Sequence, residues 1–436
     1  MFGTSGIRGP VGEDVTAALA LSVGRAVGVD ADRVVVGRDP RESGALLTDA
    51  LAAGLRESGT DVVDLGLAAT PTVARAVGWE DADAGVAVTA SHNPPQDNGL
   101  KLWRPDGRAF DESRRETVSR RVEADESDLR PWDALGERTA RDAADRHVAA
   151  LLDAVDVADP PRVVVDVGNG AGGVTVDALQ ELGCAVETLN AQPDGSFPGR
   201  PSEPTAEHCR SLASLVAESD AAVGIAHDGD ADRMRAVAGD GTFLSGDVTL
   251  ALFARAAADP GDRVAVPVDT SLAVADHLAE AGVEVTRTKV GDVYVAERVA
   301  EEGVAFGGEP SGAWIWPGTL CPDGPLAACK LVELASERPL ADRAAEVATY
   351  PIRRDSVEVP DKAAVMDRVR DRVAAEYDDV STLDGVRVDL GDGWFLLRAS
   401  GTQPLVRVTA EARDADRADA VFERATALLE RARADG

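Results

Sequence analysis

RVVVGRDPR, residues 33–41, is the stretch that decides the fold of this chain. Its run of β-branched apolar residues predicts a buried strand, and the polar residues and proline that follow predict a loop at the carboxyl end of that strand. The same arrangement recurs in RVVVDVGNG at 162–170 and in RVAVPVDTS at 263–271. Each copy continues into a helical stretch, a glycine stop and a second strand, which is the order of a crossover between parallel strands. The three copies therefore predict three related α/β domains.

The remainder of the chain completes the predicted architecture. Charged amphipathic stretches at 114–126 and 139–155 predict two helices that close the first α/β unit. From residue 350 onward the pattern changes to several strands flanked by two helices, which predicts a small α+β domain. We therefore expect three related α/β domains with mixed, largely parallel sheets and a smaller C-terminal α+β domain, all around a central cleft. The expected domains span 1–155, 156–245, 246–349 and 350–436.

The composition is strongly acidic, with 77 acidic and 45 basic residues and a net charge of −32. Either a cationic partner or a solvated surface for a salt-rich cytoplasm would explain this charge. The spread of acids along the whole chain favours the second explanation and predicts a halophilic protein. The sequence shows no basic footprint for nucleic acid and no apolar run long enough to cross a bilayer. The four cysteines lack metal-ligand spacing and no signal peptide precedes them, so we expect a cytoplasmic protein.

The stretch GVAVTASHNPPQDNGLK, residues 85–101, contains the first candidate for chemistry. A short apolar strand leads into a loop that two prolines keep from continuing as a strand or helix. Ser91 is therefore expected just beyond the carboxyl end of a strand, which is the edge where ligands bind in open α/β sheets. His92 adjoins it and Lys101 follows after a turn. A serine is a weak nucleophile without help, so a polar turn that caps a strand is the alternative for this motif alone.

An acidic loop is the second candidate. HDGDADR at 227–233 follows an apolar strand and places Asp228, Asp230 and Asp232 at alternate positions. Three carboxylates can converge on one hard divalent ion such as Mg²⁺ if the loop curls, and without a cation they would repel one another. A solvated acidic turn is the alternative in so acidic a chain.

Two glycine-containing stretches offer groups for anions or sugars. FGTSGIRG at 2–9 could wrap an anion with backbone N–H groups, hydroxyls and Arg8, although a flexible terminus looks similar. GGEPSG at 307–312 places Glu309 and Ser311 on a tight loop. These two side chains could hold neighbouring sugar hydroxyls or an amine, and a plain turn is the alternative.

The stretch RASGTQP, which begins at Arg398, predicts a phosphate cradle. Gly401 lets the backbone approach a ligand closely, and Ser400 and Thr402 offer hydroxyls. Arg398 and Arg407 could bracket a dianion. The spacing is not that of a nucleotide-binding loop, so we expect phosphate binding without nucleotide hydrolysis; the alternative is a hairpin turn with surface arginines.

Taken in order, the five motifs resemble those of the α-D-phosphohexomutase superfamily, and the resemblance covers the whole chain. TKVGD at 288–292, GLKLW at 99–103 and GEPSGAW at 308–314 look closer to the phosphoglucosamine mutase branch, especially its archaeal, haloarchaeal-like members. The resemblance implies an enzyme that interconverts glucosamine 6-phosphate and glucosamine 1-phosphate through a phosphoserine and a sugar 1,6-bisphosphate, with one Mg²⁺ per active site. It implies a small sugar phosphate as the binding partner, no nucleic acid or membrane, and a monomer or homodimer.

The resemblance also assigns roles to individual residues. Ser91 would carry the phosphoryl group, the three aspartates would hold Mg²⁺ against it, and Lys101 would act as an acid or base whose pKa nearby cations and burial lower. The residues implied for catalysis are Ser91, His92, Lys101 and Arg8; for the metal Ser91, Asp228, Asp230 and Asp232; and for the substrate Arg233, Gly291, Asp292, Glu309, Ser311, Arg398, Ser400, Gly401, Thr402 and Arg407.

Two positions depart from the pattern of many relatives. Gln403 replaces a glutamate in the phosphate cradle, and Ala313 replaces a histidine after the sugar loop, which weakens any inference of a glucose or mannose preference. Two alternatives therefore stay open. One is a phosphoglucomutase or phosphomannomutase with the same mechanism, and the other is an inactive sugar-phosphate-binding protein on the same scaffold.

Overall fold

The computed structural model describes Gly3, residues 6–400 and residues 404–434, which form four sheets with helices packed against them. The first group of elements forms a six-stranded sheet in the order β1-β5-β4-β2-β3-β6, with β2 parallel to β3 and β4. Val34, Val35 and Val36 of β2 are completely buried, as their apolar run predicts. These elements are β1 (Ile7–Pro10), α1 (Ala17–Gly28), β2 (Arg33–Arg38), α2 (Gly44–Glu57), β3 (Asp61–Leu67), α3 (Thr70–Trp79), β4 (Ala84–Val88), β5 (Asp97–Trp103), α4 (Glu112–Glu123), β6 (Arg138–Ala140) and α5 (Ala144–Leu152).

The helix predicted over 139–155 is wrong at its beginning. Residues 138–140 form β6 and pair in parallel with β3, so the helix starts only at Ala144. Arg138 explains the difference, since its guanidinium binds Asp49 and Asp64 and holds this segment against the edge of the sheet. The Asp142 carboxylate then accepts the Ala144 N–H and starts the helix.

The second and third repeats form two four-stranded sheets, in the orders β10-β9-β7-β8 and β12-β11-β13-β14. Strand pairs β7–β8 and β11–β12 are parallel, which confirms the predicted crossover units. The elements are β7 (Arg162–Asp166), α6 (Gly173–Glu181), β8 (Ala185–Leu189), α7 (Arg210–Ala217), β9 (Val223–His227), β10 (Met234–Ala238), α8 (Gly246–Ala257), β11 (Arg263–Pro267), α9 (Leu272–Ala279), β12 (Glu284–Thr288), α10 (Asp292–Val299), β13 (Val304–Glu309), β14 (Ala313–Ile315), α11 (Gly324–Glu337) and α12 (Leu340–Ala344).

These two sheets share one hydrophobic core. A single cluster of buried side chains contains Val165 and Ile225 from the second sheet, Val266 and Phe306 from the third, and Leu250 of α8. Burial of each such side chain contributes roughly 1.5–3 kcal/mol. Because this cluster of buried side chains is continuous across both sheets, we expect the second and third sheets to behave as one rigid body.

The C-terminal part forms the predicted α+β unit, a five-stranded antiparallel sheet in the order β15-β19-β18-β17-β16 with two helices. Its buried Glu411 contacts the start of α9, where it accepts the Leu272 N–H at 2.7 Å and the Trp394 indole N–H at 2.6 Å. The elements are β15 (Ile352–Glu358), α13 (Lys362–Glu376), β16 (Val380–Ser381), β17 (Val386–Asp389), β18 (Gly393–Ala399), β19 (Leu405–Ala412) and α14 (Ala415–Ala434).

A cavity of about 550 Å³ separates the first unit from the third and fourth, with Ser113, Lys289 and Leu383 among its lining residues. The domain boundaries at 155, 245 and 349 stay a prediction. Among the described residues, the structure contains no helix with the length and hydropathy needed to cross a membrane.

Candidate active site

Ser91 lies at the carboxyl end of β4 and is only 1% exposed. Its φ of 53° is in the left-handed region, which costs a non-glycine residue of the order of 1–3 kcal/mol and is found mainly where surrounding contacts enforce it. The Ser91 hydroxyl donates to Asp228 Oδ2 at 2.6 Å, and Asp232 Oδ1 lies 3.4 Å away. The serine loop therefore places its hydroxyl against the acidic loop and away from solvent.

Arg41, which the sequence interpretation missed, holds the serine loop in place. Its buried guanidinium donates to the carbonyl oxygens of Ser91 at 2.9 Å, Asn93 at 2.7 Å, Pro94 and Asp97. This fork of donors enforces the unusual backbone of the loop. The signal was present in the sequence, because Arg41 ends the stretch that predicts the first crossover.

Ser202 is a second residue that the sequence interpretation missed, and it joins the serine loop to the acidic loop. Its hydroxyl donates to the Ser91 carbonyl oxygen at 2.8 Å and accepts the Gly229 N–H at 3.0 Å. The Ser91 carbonyl oxygen therefore has two donors, one from a loop that follows the first sheet's β2 and one from a loop that follows the second sheet's β8. We call Arg41 and Ser202 the carbonyl clamp.

The three aspartates of the acidic loop are buried and face one another. One ligand oxygen from each of Asp228, Asp230 and Asp232 lies within 4.8 Å of the other two. Burial and the neighbouring carboxylates raise the pKa of Asp228 and of Asp232. Burial also opposes ionisation of Asp230, but Lys101 outweighs it and the pKa of Asp230 is lowered. A solvated acidic turn is therefore excluded for this loop.

This donor set fits a divalent cation. Within the described part of the chain, Asp230 Oδ1 is buried and has no hydrogen-bond partner. A buried carboxylate oxygen without a donor costs free energy unless a cation meets it. Oxygen ligands at this spacing suit a hard ion such as Mg²⁺, and Asp228, Asp230, Asp232 and the Ser91 side chain are the residues that would hold it.

Lys101 lies on β5 and contacts the same aspartates. Its ammonium donates to Asp230 Oδ2 at 2.8 Å and also to Asp232. Burial lowers the pKa of Lys101, but the attraction of Asp230 and Asp232 is stronger, so the net shift is upward. The expected lowering of this pKa is therefore wrong, because the carboxylates outweigh the nearby cation Arg8.

Arg8 and His92 complete the surroundings of Ser91. Arg8 is on β1, paired with Gly99 of β5, and its Nε is buried with no hydrogen-bond partner among the described residues. His92 Nδ1 lies 3.4 Å from the Ser91 hydroxyl oxygen. Burial together with the cations Arg233, Arg8 and Lys101 lowers the pKa of His92 to about 3, so its ring is neutral near pH 7.

The two ends of the acidic loop are tied together by the fully buried ring of His227. One ring nitrogen, Nδ1, lies 2.9 Å from the Arg233 carbonyl oxygen, and the other, Nε2, lies 2.9 Å from the Thr175 hydroxyl. The Arg233 N–H donates to Asp228 Oδ1 at 3.1 Å. Burial lowers the pKa of Arg233, but nearby acids raise it more, so the net shift is upward. These acids are Asp228, Asp232, Glu309 and Asp292. Arg233 therefore lies between the acidic loop at 227–233, called the metal loop below, and the GGEPSG loop at 307–312, called the sugar loop.

The sugar loop surrounds Glu309, at the end of β13. Glu309 accepts the Gly291 N–H at 2.7 Å, and the Ser311 hydroxyl lies 3.3 Å from its other oxygen. Burial and the nearby Asp292 raise the pKa of Glu309 to about 7. Four of the predicted substrate residues, Gly291, Asp292, Glu309 and Ser311, are thus close together, and two of them are acids.

The metal loop and the sugar loop are joined through the backbone. The Met234 N–H donates to the Gly312 carbonyl at 3.0 Å, and the Trp314 indole donates to the Met234 carbonyl at 2.9 Å. The Arg235 guanidinium adds a bond to the Pro310 carbonyl at 2.6 Å. These contacts fix the distance between the two loops.

The predicted phosphate cradle lies on the fourth sheet. Arg398 of β18 and Arg407 of β19 are directly opposite each other. Like charges at such a position destabilise a sheet, so an anion between them would be favourable. Arg398 also binds Asp384 at 3.1 Å, and the Ser400 N–H closes the loop onto Leu405. Of the predicted residues, Gly401 and Thr402 lie outside the described residues, as does Gln403.

Models of four phosphoglucomutase/phosphomannomutase domains match the chain in order. The alpha/beta/alpha domain I matches residues 1–129, domain II residues 145–241, domain III residues 245–350 and the C-terminal domain residues 356–428. These descriptions agree with the four sheets.

Individual proteins are similar over nearly the whole length. A probable phosphoglucosamine mutase of Methanopyrus kandleri is 48% identical over 96% of this chain and 95% of its own length. One of Methanothermobacter thermautotrophicus is 45% identical over 99% of this chain and 98% of its own length. The solved structure of a phosphoglucomutase/phosphomannomutase family protein of Burkholderia thailandensis has a TM-score of 0.88 and 29% identity, with 99% of this chain and 98% of that chain covered.

Proposed function

The chain belongs to the phosphoglucomutase/phosphomannomutase family, and on that premise we propose that it interconverts glucosamine 6-phosphate and glucosamine 1-phosphate. One observation carries the proposal, the bond of 2.6 Å that places the Ser91 hydroxyl on a buried group of three aspartates. A hydroxyl beside a divalent-cation site suits phosphoryl transfer, because the cation can stabilise the charge on the transferred group. The relatives named as probable phosphoglucosamine mutases support the choice of sugar.

In the proposed cycle, Ser91 carries a phosphoryl group and gives it to a hydroxyl of the sugar phosphate. The bond between phosphorus and Ser91 Oγ breaks, a bond from phosphorus to the sugar oxygen forms, and the hydroxyl proton moves in net terms to Ser91 Oγ. The resulting 1,6-bisphosphate turns over and returns its other phosphoryl group to Ser91. A bound Mg²⁺ would neutralise charge on the phosphoryl oxygens during the transfer.

The chain's own residues have separate proposed tasks in this cycle. Lys101, held as an ammonium, is the proposed acid that delivers a proton to the oxygen leaving phosphorus. Arg8, with its unpartnered buried Nε, and neutral His92 would contact the transferred group. Arg398 and Arg407 would hold the phosphate that does not react.

The acids of the sugar loop support an amino sugar. Burial, and after it the negative charge of the nearby Asp292, raise the pKa of Glu309 and so disfavour its ionised form. The ammonium of glucosamine would stabilise this ionised form through a charge-assisted hydrogen bond, which a neutral hydroxyl cannot match. The same carboxylate can accept sugar hydroxyls, so we expect a preference of roughly 5- to 150-fold, with side activity on glucose phosphate.

The test compares specificity constants (kcat/KM) for glucosamine, glucose and mannose 6-phosphates, measured with Mg²⁺ and a sugar 1,6-bisphosphate. Intact-mass measurement of the protein after incubation with the bisphosphate checks for one phosphate on Ser91. A preference for glucose or mannose phosphate would support the phosphoglucomutase or phosphomannomutase alternative and leave the serine chemistry standing. Neither phosphorylation nor turnover would support an inactive binding protein. A cytoplasmic location and a monomer or homodimer are part of the proposal.

A further inference from the structure

The two oxygens of the Asp230 carboxylate have different surroundings. Oδ2 accepts the Thr70 hydroxyl at 2.6 Å and the Lys101 ammonium at 2.8 Å. Oδ1 is buried and has no hydrogen-bond partner within the described chain. Two donors therefore occupy Oδ2, whereas Oδ1 receives none from the described residues.

Thr70 also binds the backbone of the same residue. Its N–H donates to the Asp230 carbonyl oxygen at 2.9 Å, so hydroxyl and amide hold Asp230 at two points. Thr70 is 1% exposed and is the first residue of α3. The buried Val73 and Val77 anchor this helix against the first sheet, whereas Asp230 belongs to a loop of the second sheet. A rigid helix of one unit thus fixes a carboxylate of another.

We propose that Thr70 is a positioning residue for the divalent cation, one that turns the Asp230 carboxylate so that Oδ1 faces the metal. This inference rests on the proposed function, since it requires the cation site. Hydrogen bonds to a ligating carboxylate commonly set its orientation, and their loss costs about 10- to 100-fold in metal affinity or activity. Lys101 also donates to Oδ2, but it contacts Asp232 as well, whereas the hydroxyl and the amide of Thr70 both bind Asp230.

The experiment is a calorimetric titration of Mn²⁺, a probe for the Mg²⁺ site, into the full chain and its variants. Thr70→Val keeps the shape of the side chain and removes its hydroxyl, so Mn²⁺ should bind about 10- to 100-fold more weakly. Thr70→Ser keeps the hydroxyl and should restore affinity close to that of the wild type. In the mutase assay, the Mg²⁺ concentration for half-maximal rate should rise in Thr70→Val by the same factor, with most of kcat recovered at saturating Mg²⁺.

Thr72→Val is the matched control. Thr72 lies on the same helix, is also buried, and its hydroxyl lies 2.8 Å from His147 Nδ1, away from the aspartates. This variant should lose stability without a change in Mn²⁺ affinity. In an Asp230→Asn background, Thr70→Val should cause little further loss, because the effect of Thr70 passes through the carboxylate that has already been changed.

Wild-type Mn²⁺ affinity in a folded Thr70→Val variant would overturn the inference and leave the metal site intact. Equal losses in Thr72→Val and Thr70→Val would overturn it too, since they would indicate a general loosening of α3. If the wild type itself shows no saturable Mn²⁺ binding, the cation site fails and the inference fails with it. Thr70→Ala carries the same test if thermal melts show that Thr70→Val does not fold.

Discussion

Ser91 combines a strained backbone with a strong hydrogen bond, and both have a functional consequence at the scale of one residue. The left-handed φ directs its hydroxyl to Asp228 instead of back along the strand. Strain of this kind persists where surrounding contacts enforce it, and here the carbonyl clamp does so.

Ser91→Ala should abolish covalent turnover, with a fall in kcat on the order of 10⁴-fold or more, because no other atom can replace the lost oxygen. Activity assays and intact-mass measurement after incubation with the bisphosphate check this result. Ser58→Ala is the control, since it removes another buried serine hydroxyl, which donates to the Gly54 carbonyl oxygen at 3.1 Å. Turnover of Ser91→Ala within tenfold of wild type would contradict the covalent mechanism.

Glu309 gives a prediction about pH. Its pKa of about 7 in the folded chain lies above the ordinary value of 4.5, because of burial and Asp292. Because the folded state binds this proton more tightly than the unfolded state, protonation of Glu309 contributes to the free energy of unfolding. This contribution is fully present below pH 4.5 and is lost as the pH rises through 7. Relative to wild type, ligand-free Glu309→Gln should therefore gain stability with rising pH, by at most about 3 kcal/mol. Urea unfolding of both proteins between pH 5 and 8 measures the difference, and parallel curves would contradict the raised pKa.

At the scale of loops and elements, the carbonyl clamp explains how two separate loops keep one geometry. Ser202→Ala removes the hydroxyl that joins Ser91 to Gly229. We expect kcat to fall roughly 10- to 100-fold, because small displacements of a reacting group are costly. KM for the sugar phosphate should change little, since the sugar loop is untouched. If Ser58→Ala lowers kcat equally, the effect is general destabilisation and the clamp has no special part in catalysis.

Most of the strands and helices could be predicted from the sequence, with β6 as an exception, but the contacts between separate elements could not. The valine runs at β2, β7 and β11 identify buried strands, because burial on both faces requires continuous apolar residues. The contacts of Arg41, Ser202 and Thr70 join positions 50, 111 and 160 residues apart in sequence. No local pattern carries that information, because packing of separate sheets decides which loops meet. The predicted lowering of the Lys101 pKa was wrong for the same reason, since Asp230 and Asp232 come from a distant part of the sequence.

At the scale of the whole molecule, the surplus of acids sets the response to salt. With 77 acidic and 45 basic residues, self-repulsion should be substantial at low ionic strength. The Debye length falls from about 10 Å at 0.1 M to about 3 Å at 1 M salt, so added KCl screens this repulsion. Thermal melts from 0.1 to 3 M KCl should show a steep rise in Tm. A flat profile would favour a cationic partner as the reason for the charge.

The burial of Ser91 limits how a newly synthesised chain can acquire its first phosphate. An enzyme that modifies another protein must bring the target hydroxyl within reach of its own catalytic groups. Ser91 is 1% exposed and its loop is clamped, so a protein kinase would have to open the loop before it could act. We therefore expect Ser91 to be phosphorylated first by a donor small enough to reach it. In the proposed cycle this donor is the sugar bisphosphate. A newly synthesised, unphosphorylated chain would then be inactive, and its activity would appear after a lag that depends on the bisphosphate concentration. Hydrolysis of the phosphoserine would return it to the inactive form.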